Sequence, residues 1–172
     1  MKPFLTIDET SIDPNSKTAD RNGYGLREAA RALVVDNKGA VALLHVRNKN
    51  YYKLPGGGIE GSEAVEDALA REILEEIGCK AEIITGLGSI QEYRYFWNMN
   101  QISYCYLAKV VGEKGESNFT ADERADGFKV VWASSLDKAI QLLKGKGETA
   151  DPGIVFMRMR DVAIAEKARL YL

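Results

Sequence analysis

A run of three glycines followed by a glutamate-crowded helical segment constrains this chain more than any other feature. Leu54-Pro55-Gly56-Gly57-Gly58-Ile59-Glu60-Gly61-Ser62-Glu63 leads into Arg71-Glu72-Ile73-Leu74-Glu75-Glu76-Ile77-Gly78-Cys79. Glycines reach backbone angles closed to other residues and let the chain pass close to a ligand or a helix. From Ser62 to Ile77 there is no Gly or Pro, and the run ends at Gly78. That predicts a helix capped by Ser62 and stopped by glycine. At about 100° per residue, Glu72, Glu75 and Glu76 are neighbours on one face. The apolar stripe Val65, Leu69 and Ile73 overlaps that face. Like charges at this spacing repel, and more so at the edge of a packing surface. A cation is therefore expected among them, and hard oxygen ligands at this density suit a hydrated Mg²⁺ or Mn²⁺. Composition alone leaves the plainer alternative open, a solvated acidic face.

The block resembles the signature of the Nudix hydrolase family: Gly, five residues, Glu, seven residues, Arg-Glu, a bulky apolar residue, any residue, Glu-Glu, any residue, Gly, a bulky apolar residue. Gly57, Glu63, Arg71, Glu72, Ile73, Glu75, Glu76 and Gly78 stand at its fixed positions. Cys79 takes the last apolar place, where a free thiol packs as a small hydrophobe. The resemblance implies an α/β fold, an α/β/α sandwich whose curved mixed sheet is flanked by helices. It would cover one domain, residues 26–172, behind an N-terminal arm, 1–25.

The activity implied is hydrolysis of a pyrophosphate bond in a nucleoside diphosphate linked to another group, by attack of water on phosphorus, with Mg²⁺ or Mn²⁺ as cofactor. By matching positions, Glu72, Glu75, Glu76 and the Gly56 carbonyl are the expected metal ligands. Arg71 is the expected orienting residue, gripping Glu75 or Glu63, and Glu72 the expected general base. Some relatives draw the base from a later loop, where Glu116 and Glu123 stand here. Arg47 and Lys53, with Gly57 and Gly58 of the loop, are candidates for substrate phosphates, although surface solubility accounts equally well for Arg47 and Lys53. Tyr95 stands where some relatives that cleave diadenosine polyphosphates carry Tyr, but in a stretch with Tyr93, Phe96 and Trp97 a core role is the plainer reading. The partner implied is a small nucleotide, and a homodimer is compatible. The alternative is a Nudix-like module that senses a nucleotide without cleaving it. Such modules usually lose one of the glutamates, and this chain keeps all of them.

The rest of the chain is consistent with that frame. Its 172 residues suffice for one core without disulfides. A net charge of −2 and a pI near 5.6 give no sign of duplex nucleic acid or an anionic membrane as partner. There is no apolar run of about 18 residues and no leader pattern at the N-terminus, so a soluble cytoplasmic protein is expected. Cys79, Cys105 and the single His45 exclude a zinc cluster of the usual ligands. They read instead as free buried thiols and a structural histidine.

Residues 1–25 read as a loose arm whose Phe4, Leu5, Ile7 and Ile12 could instead lie over the domain. A hairpin is expected from 27–35 and 40–46, a short strand at 51–54, and a strand at 81–84. A second hairpin is expected from 89–97 and 101–111, a loop at 112–126, and a strand at 128–132. Ser134 is expected to open a helix over 136–144. Asp151-Pro152 is expected to open a last one, with Val155, Met157, Met159, Val162 and Leu170 inward.

Overall fold

The computed structural model describes residues 3–145 and 150–172. Its strands are β1 (Leu5–Ile7), β2 (Gly25–Val35), β3 (Val41–Val46), β4 (Tyr51–Lys53), β5 (Lys80–Arg94), β6 (Met99–Val111) and β7 (Phe128–Ala133). Its helices are α1 (Glu9–Ile12), α2 (Val65–Ile77), α3 (Ala121–Ala125), α4 (Leu136–Lys144) and α5 (Pro152–Ala168). The strands form one mixed sheet in the order β1-β5-β6-β2-β3-β4, with β7 against β3. β1 and β5 run parallel, as do β2 and β6, whereas β5 and β6 are antiparallel.

Alternation along β2 assigns the layers, because successive side chains leave a strand on opposite faces. Ala30, Ala32 and Val34 cluster with Leu69, Ile73 and Ile77 of α2. Leu33 and Val35 cluster with Ile140 and Leu143 of α4 and with Phe156 and Ile164 of α5. The sheet is thus covered on both sides, as the α/β/α expectation required. Each fully buried Leu, Ile or Phe contributes about 1.5–3 kcal/mol to holding the layers together.

β2 and β3 meet only at Val35 and Val41. Beyond that point they part, and β3 pairs instead with β4 through Leu44, His45 and Val46. The glycine loop fills the wedge. The Ala30 N–H donates to the Gly57 carbonyl at 3.0 Å, Ala32 N–H to Pro55 at 3.2 Å, and Ile59 N–H to Glu28 at 3.1 Å. Gly56 takes φ +126°, and a β-carbon there would overlap the Ala30 carbonyl oxygen. Only glycine fits that position.

Several expectations are corrected. The arm is not loose over its described residues: β1 joins the edge of the sheet beside Ile90–Glu92, and Ile7 is fully buried. Met1 and Lys2 lie outside the described residues. Ser62 does not cap α2, which starts at Val65 with Ala64 as a cap that makes no side-chain bond. A turn intervenes: Gly61 has φ +55° and the Glu63 N–H donates to the Glu60 carbonyl at 3.1 Å. The cap of α4 is Ser135, one residue later than expected, its hydroxyl accepting from Lys138 N–H at 3.1 Å. Residues 80–94 form one strand, with irregularities at Ile83/Thr85 and Gly86/Gly88. The 112–126 segment carries the short helix α3. Finally, α5 turns Ile154, Phe156, Arg160, Asp161, Ile164, Ala165 and Ala168 inward. Val155, Met157, Met159 and Val162 are half-buried and Leu170 is exposed, because the inward face includes an ion pair the apolar pattern did not contain.

Candidate active site

Three consecutive loop residues and one helix face make the first half of the site. The buried Glu76 carboxylate, 2% exposed, accepts from the Gly56 N–H at 2.6 Å and from Lys53 Nζ at 2.8 Å. Burial raises its pKa above the ordinary carboxylate range, and Lys53 and the Gly56 N–H offset part of that rise. The Glu72 carboxylate lies under the next residue, so a β-carbon on Gly57 would fall on it. Arg71 gathers the remainder. Its guanidinium donates to Glu63 at 2.8 and 3.3 Å, to Glu72 at 2.9 Å, to Glu75 at 3.3 Å and to the Gly58 carbonyl at 3.1 Å. These hydrogen bonds to Glu63 lower the Glu63 pKa. Arg71 thus reaches both Glu63 and Glu75, where the sequence reading named one or the other, and Glu63 lies in the turn that precedes α2.

Glu72 and Glu75 share one guanidinium nitrogen, whereas Glu76 turns inward to the loop. Each is held by a cation of the chain, and the Gly56 carbonyl accepts from Arg31 Nη1. Among the described residues no three Asp, Glu, His or Cys side chains converge into a ready ligand sphere.

The second half is a cleft of ≈ 260 Å³ beside the loop, lined by Arg27, Arg31, Lys53, Arg94 and Arg160 with Trp97 and Phe128. The face of β2, β5 and β6 that packs on α5 is apolar at Leu33, Ile90 and Leu107. Along the same face it becomes polar at Arg31, Glu92, Arg94, Gln101 and Ser103. Glu92 accepts from Arg94 Nη2 at 2.6 Å, from Gln101 Nε2 at 2.6 Å and from Ser103 Oγ at 3.3 Å. Although burial opposes it, the positive charge of Arg160 and Arg94 holds the Glu92 pKa below its ordinary value. Asp161 accepts from Arg160 Nε at 2.7 Å and from the Leu54 N–H at 2.9 Å. This buried network ties α5 to the first residue of the loop.

The remaining candidates are placed as follows. Lys53 lies on the cleft wall. Arg47 is exposed, donates through Nε to the Gly127 carbonyl at 3.1 Å, and is not among the residues lining the cleft. Gly57 and Gly58 are pinned by their carbonyls, to Ala30 N–H and Arg71. Glu123 caps α3, accepting from Thr120 N–H at 2.8 Å and from its hydroxyl at 3.0 Å. Glu116 lies over the end of α2, where a β-carbon on Gly78 would come within 2.6 Å of its backbone. Tyr95 is exposed, against the core role the sequence suggested, whereas Phe96 packs edge-on against Phe156 at 5.4 Å and Trp97 reaches the cleft. His45 stacks on Tyr52 at 4.3 Å, a structural role, and both cysteines are free and buried. Sequence reasoning missed Arg27, Arg31, Glu92, Arg94, Arg160 and Asp161. The available signal was charge at same-parity strand positions and a charged pair inside an apolar helix.

Comparison with known proteins agrees with this architecture. The profile of the NUDIX domain matches residues 25–151. The chain belongs to the Nudix family. It is 37% identical over 126 residues to an RNA pyrophosphohydrolase of Teredinibacter turnerae, covering 70% of this chain and 65% of that protein. It is 29% identical over 121 residues to diphosphoinositol polyphosphate phosphohydrolase 2 of Rattus norvegicus, covering 68% of this chain and 65% of that one. The matches thus span less than two thirds of these relatives' own length. In fold it is similar to a NUDIX hydrolase from Nitrosomonas europaea, with a TM-score of 0.58, 14% identity and coverage of 79% and 90% of the two chains. It is likewise similar to a MutT protein from Methanosarcina mazei Go1, with a TM-score of 0.55, 20% identity and coverage of 80% and 94%. Nudix hydrolases generally use divalent metal ions. No helix among the described residues is long and apolar enough to cross a membrane.

Proposed function

We propose that the chain is a Mg²⁺-dependent pyrophosphohydrolase acting on a nucleoside diphosphate linked to another group, with water attacking phosphorus. The observation that carries this reading is the placement of Glu72 and Glu76 against consecutive loop residues, Gly57 and Gly56, with Arg71 joining Glu72 to Glu75.

The donor set fits a hard divalent ion, since it consists of carboxylates and a backbone carbonyl with no sulfur or imidazole among them. Glu72, Glu75, Glu76 and the Gly56 carbonyl would hold it. A bound ion of this kind neutralises phosphoryl charge and acidifies water. Glu72 accepts a proton from the attacking water on a carboxylate oxygen. Arg71 keeps Glu72 and Glu75 oriented through its planar fork, and Glu63 holds Arg71 in turn. Lys53, now paired with Glu76, stands on the cleft wall in position to meet a phosphate oxygen. Asp161, by holding the Leu54 N–H, sets where the loop begins.

A panel of nucleoside triphosphates, dinucleoside polyphosphates, ADP-ribose, NADH and nucleotide sugars tests the reading, assayed with Mg²⁺, with Mn²⁺ and in EDTA. Turnover of one class that disappears in EDTA is the expected result. Binding of a nucleotide with no turnover under any metal would make the chain a sensing module instead.

A further inference from the structure

The last turn of α2 is electrostatically the wrong place for what it carries. Glu75 and Glu76 stand in it, and it has no basic residue. A helix C-terminus bears partial negative charge on its last carbonyls, so carboxylates are unfavourable where lysines would be favourable. Glu72, three and four positions earlier, adds repulsion of its own. Arg71 and Lys53 meet the carboxylates; the carbonyls are met from elsewhere. That of Glu75 is among the last four of the helix, which an isolated helix leaves without partners.

The donors come from a distant segment. Between β6 and α3, residues 112–120 run without regular secondary structure. The Asn118 N–H donates to the Glu75 carbonyl at 2.7 Å, and the Gly115 N–H to the Gly78 carbonyl at 2.8 Å. The approach is backbone against backbone. A β-carbon on Gly78 would stand 2.6 Å from the Glu116 carbonyl, and one on Gly115 2.9 Å from the Gly78 oxygen. This strap is moored at both ends apart from α2. Lys114 pairs with Asp36 at 2.6 Å and lies 3.3 Å from the Trp132 ring centre. Phe119 packs edge-on against Phe128 at 5.8 Å, and Thr120 opens α3 through a reciprocal cap with Glu123.

We propose that Asn118 and Gly115 are positioning residues: the two backbone N–H groups of the strap keep the last turn of α2 wound, and so keep Glu75 and Glu76 placed to bind one divalent ion together. Strap docking and metal loading are then coupled, each strengthening the other by the same factor. A bound ion removes the repulsion among the carboxylates that otherwise frays the turn. The metal half of this statement rests on the pyrophosphohydrolase reading; the helix-end half does not.

The test uses the full chain. Hydrogen exchange is followed amide by amide in EDTA and again with Mn²⁺, and Mn²⁺ affinity is read from the electron paramagnetic resonance of the free ion. Asn118→Pro deletes the N–H, whereas Asn118→Ala keeps it and removes only an exposed side chain. Gly115→Ala pushes the strap away through its contact with the Gly78 oxygen. In EDTA, the Glu76, Ile77 and Gly78 amides should exchange about tenfold faster in Asn118→Pro and Gly115→Ala, the loss of one hydrogen bond. The amides of β2 should be unchanged, and Asn118→Ala should match the wild type. Mn²⁺ should bind both strap variants about fivefold more weakly, and saturating Mn²⁺ should slow the same three amides in the wild type. Wild-type exchange at those amides in both strap variants, equal acceleration across β2, or the same acceleration in Asn118→Ala overturns the positioning role. Fraying confined to the last turn with Mn²⁺ affinity unchanged overturns the coupling. If the wild type binds no Mn²⁺ while the fraying occurs as expected, the metal reading fails and the hold of the strap on the helix stands.

Discussion

The Gly56 N–H and the Glu76 carboxylate are joined across 2.6 Å, at full burial, between the glycine loop and the last turns of α2. This bond makes the loop and the helix one unit. A carboxylate this deep is tolerated because Lys53, from the strand leading into the loop, stands 2.8 Å away. The same helix face that repels itself in the bare chain is thus held together by backbone and by Arg71.

Gly57→Ala should separate catalysis from folding. Its β-carbon would land on the Glu72 carboxylate, a side-chain end that can swing aside. Displacing it should lower kcat by roughly 10²-fold, the cost of moving a reacting group by about 1 Å. Urea unfolding should show a stability loss within about 1–2 kcal/mol. Unchanged kcat would mean that the position of Glu72 does not matter.

Arg71→Lys keeps the charge but removes the fork. One ammonium cannot serve Glu63, Glu72, Glu75 and the Gly58 carbonyl together, as Arg71 does. Activity should fall by about tenfold or more, with far-ultraviolet circular dichroism unchanged. Full activity in the lysine variant would reduce Arg71 to a surface ion pair.

Asp161→Asn tests the buried network. Asp161 is fully buried and serves both Arg160 and the Leu54 N–H. Asparagine leaves Arg160 with Glu92 at 3.7 Å as its ion-pair partner. Removing one member of a buried pair costs about 3–5 kcal/mol, readable as a lower urea midpoint. A loss below about 1 kcal/mol would show that the charge is not needed there.

Asp36 supplies a pH test away from the site. Lys114, 2.6 Å distant, with the N–H groups of Ala40 and Lys38, holds its carboxyl at about 2, below the ordinary 3.8. A depressed carboxyl adds stability above its unfolded value and loses it as pH falls through the folded one. The melting-temperature gap between wild type and Asp36→Asn should therefore narrow as pH falls from about 4 to about 2. It should be small, because Lys114 is partly exposed and solvent screens the pair. A gap that stays constant through that window would contradict the assignment.

The glycine loop and its glutamates were legible because their meaning is local: backbone angles and helical spacing act over a few residues. Glu72, Glu75 and Glu76 were singled out that way, and Arg71 by its match to the family signature. The cleft was not, since Arg27 and Arg31 come from β2, Lys53 from β4, Arg94 from β5 and Arg160 from α5. Only sheet order and the packing of α5 on the sheet bring them together. Apolar periodicity placed Val155, Met157 and Met159 inward on α5, yet burying Arg160 and Asp161 against Glu92 and Leu54 rotated the helix away from that stripe. The three residues of β1 carried no pattern of their own and gain their strand from pairing with Ile90–Glu92. The cap shift at Ser62 has a similar origin, a tertiary demand by Arg71 on Glu63 that helix propensity does not register.

The central claim is that the α2 carboxylates hold the metal and the base for hydrolysis. Its most direct test is kcat for the best substrate of the panel, measured across Mg²⁺ concentrations for the wild type, Glu72→Gln, Glu75→Gln, Glu76→Gln and Glu123→Gln. The three α2 variants should lose on the order of 10²–10⁴-fold, several kcal/mol of charge stabilisation. Excess metal should restore part of the loss in Glu75→Gln and Glu76→Gln but none in Glu72→Gln, whose proton acceptor is gone. Glu123→Gln, altered only at the α3 cap, should match the wild type. Activity that survives EDTA, or a silent Glu72→Gln beside an inactive Glu123→Gln, would contradict the account.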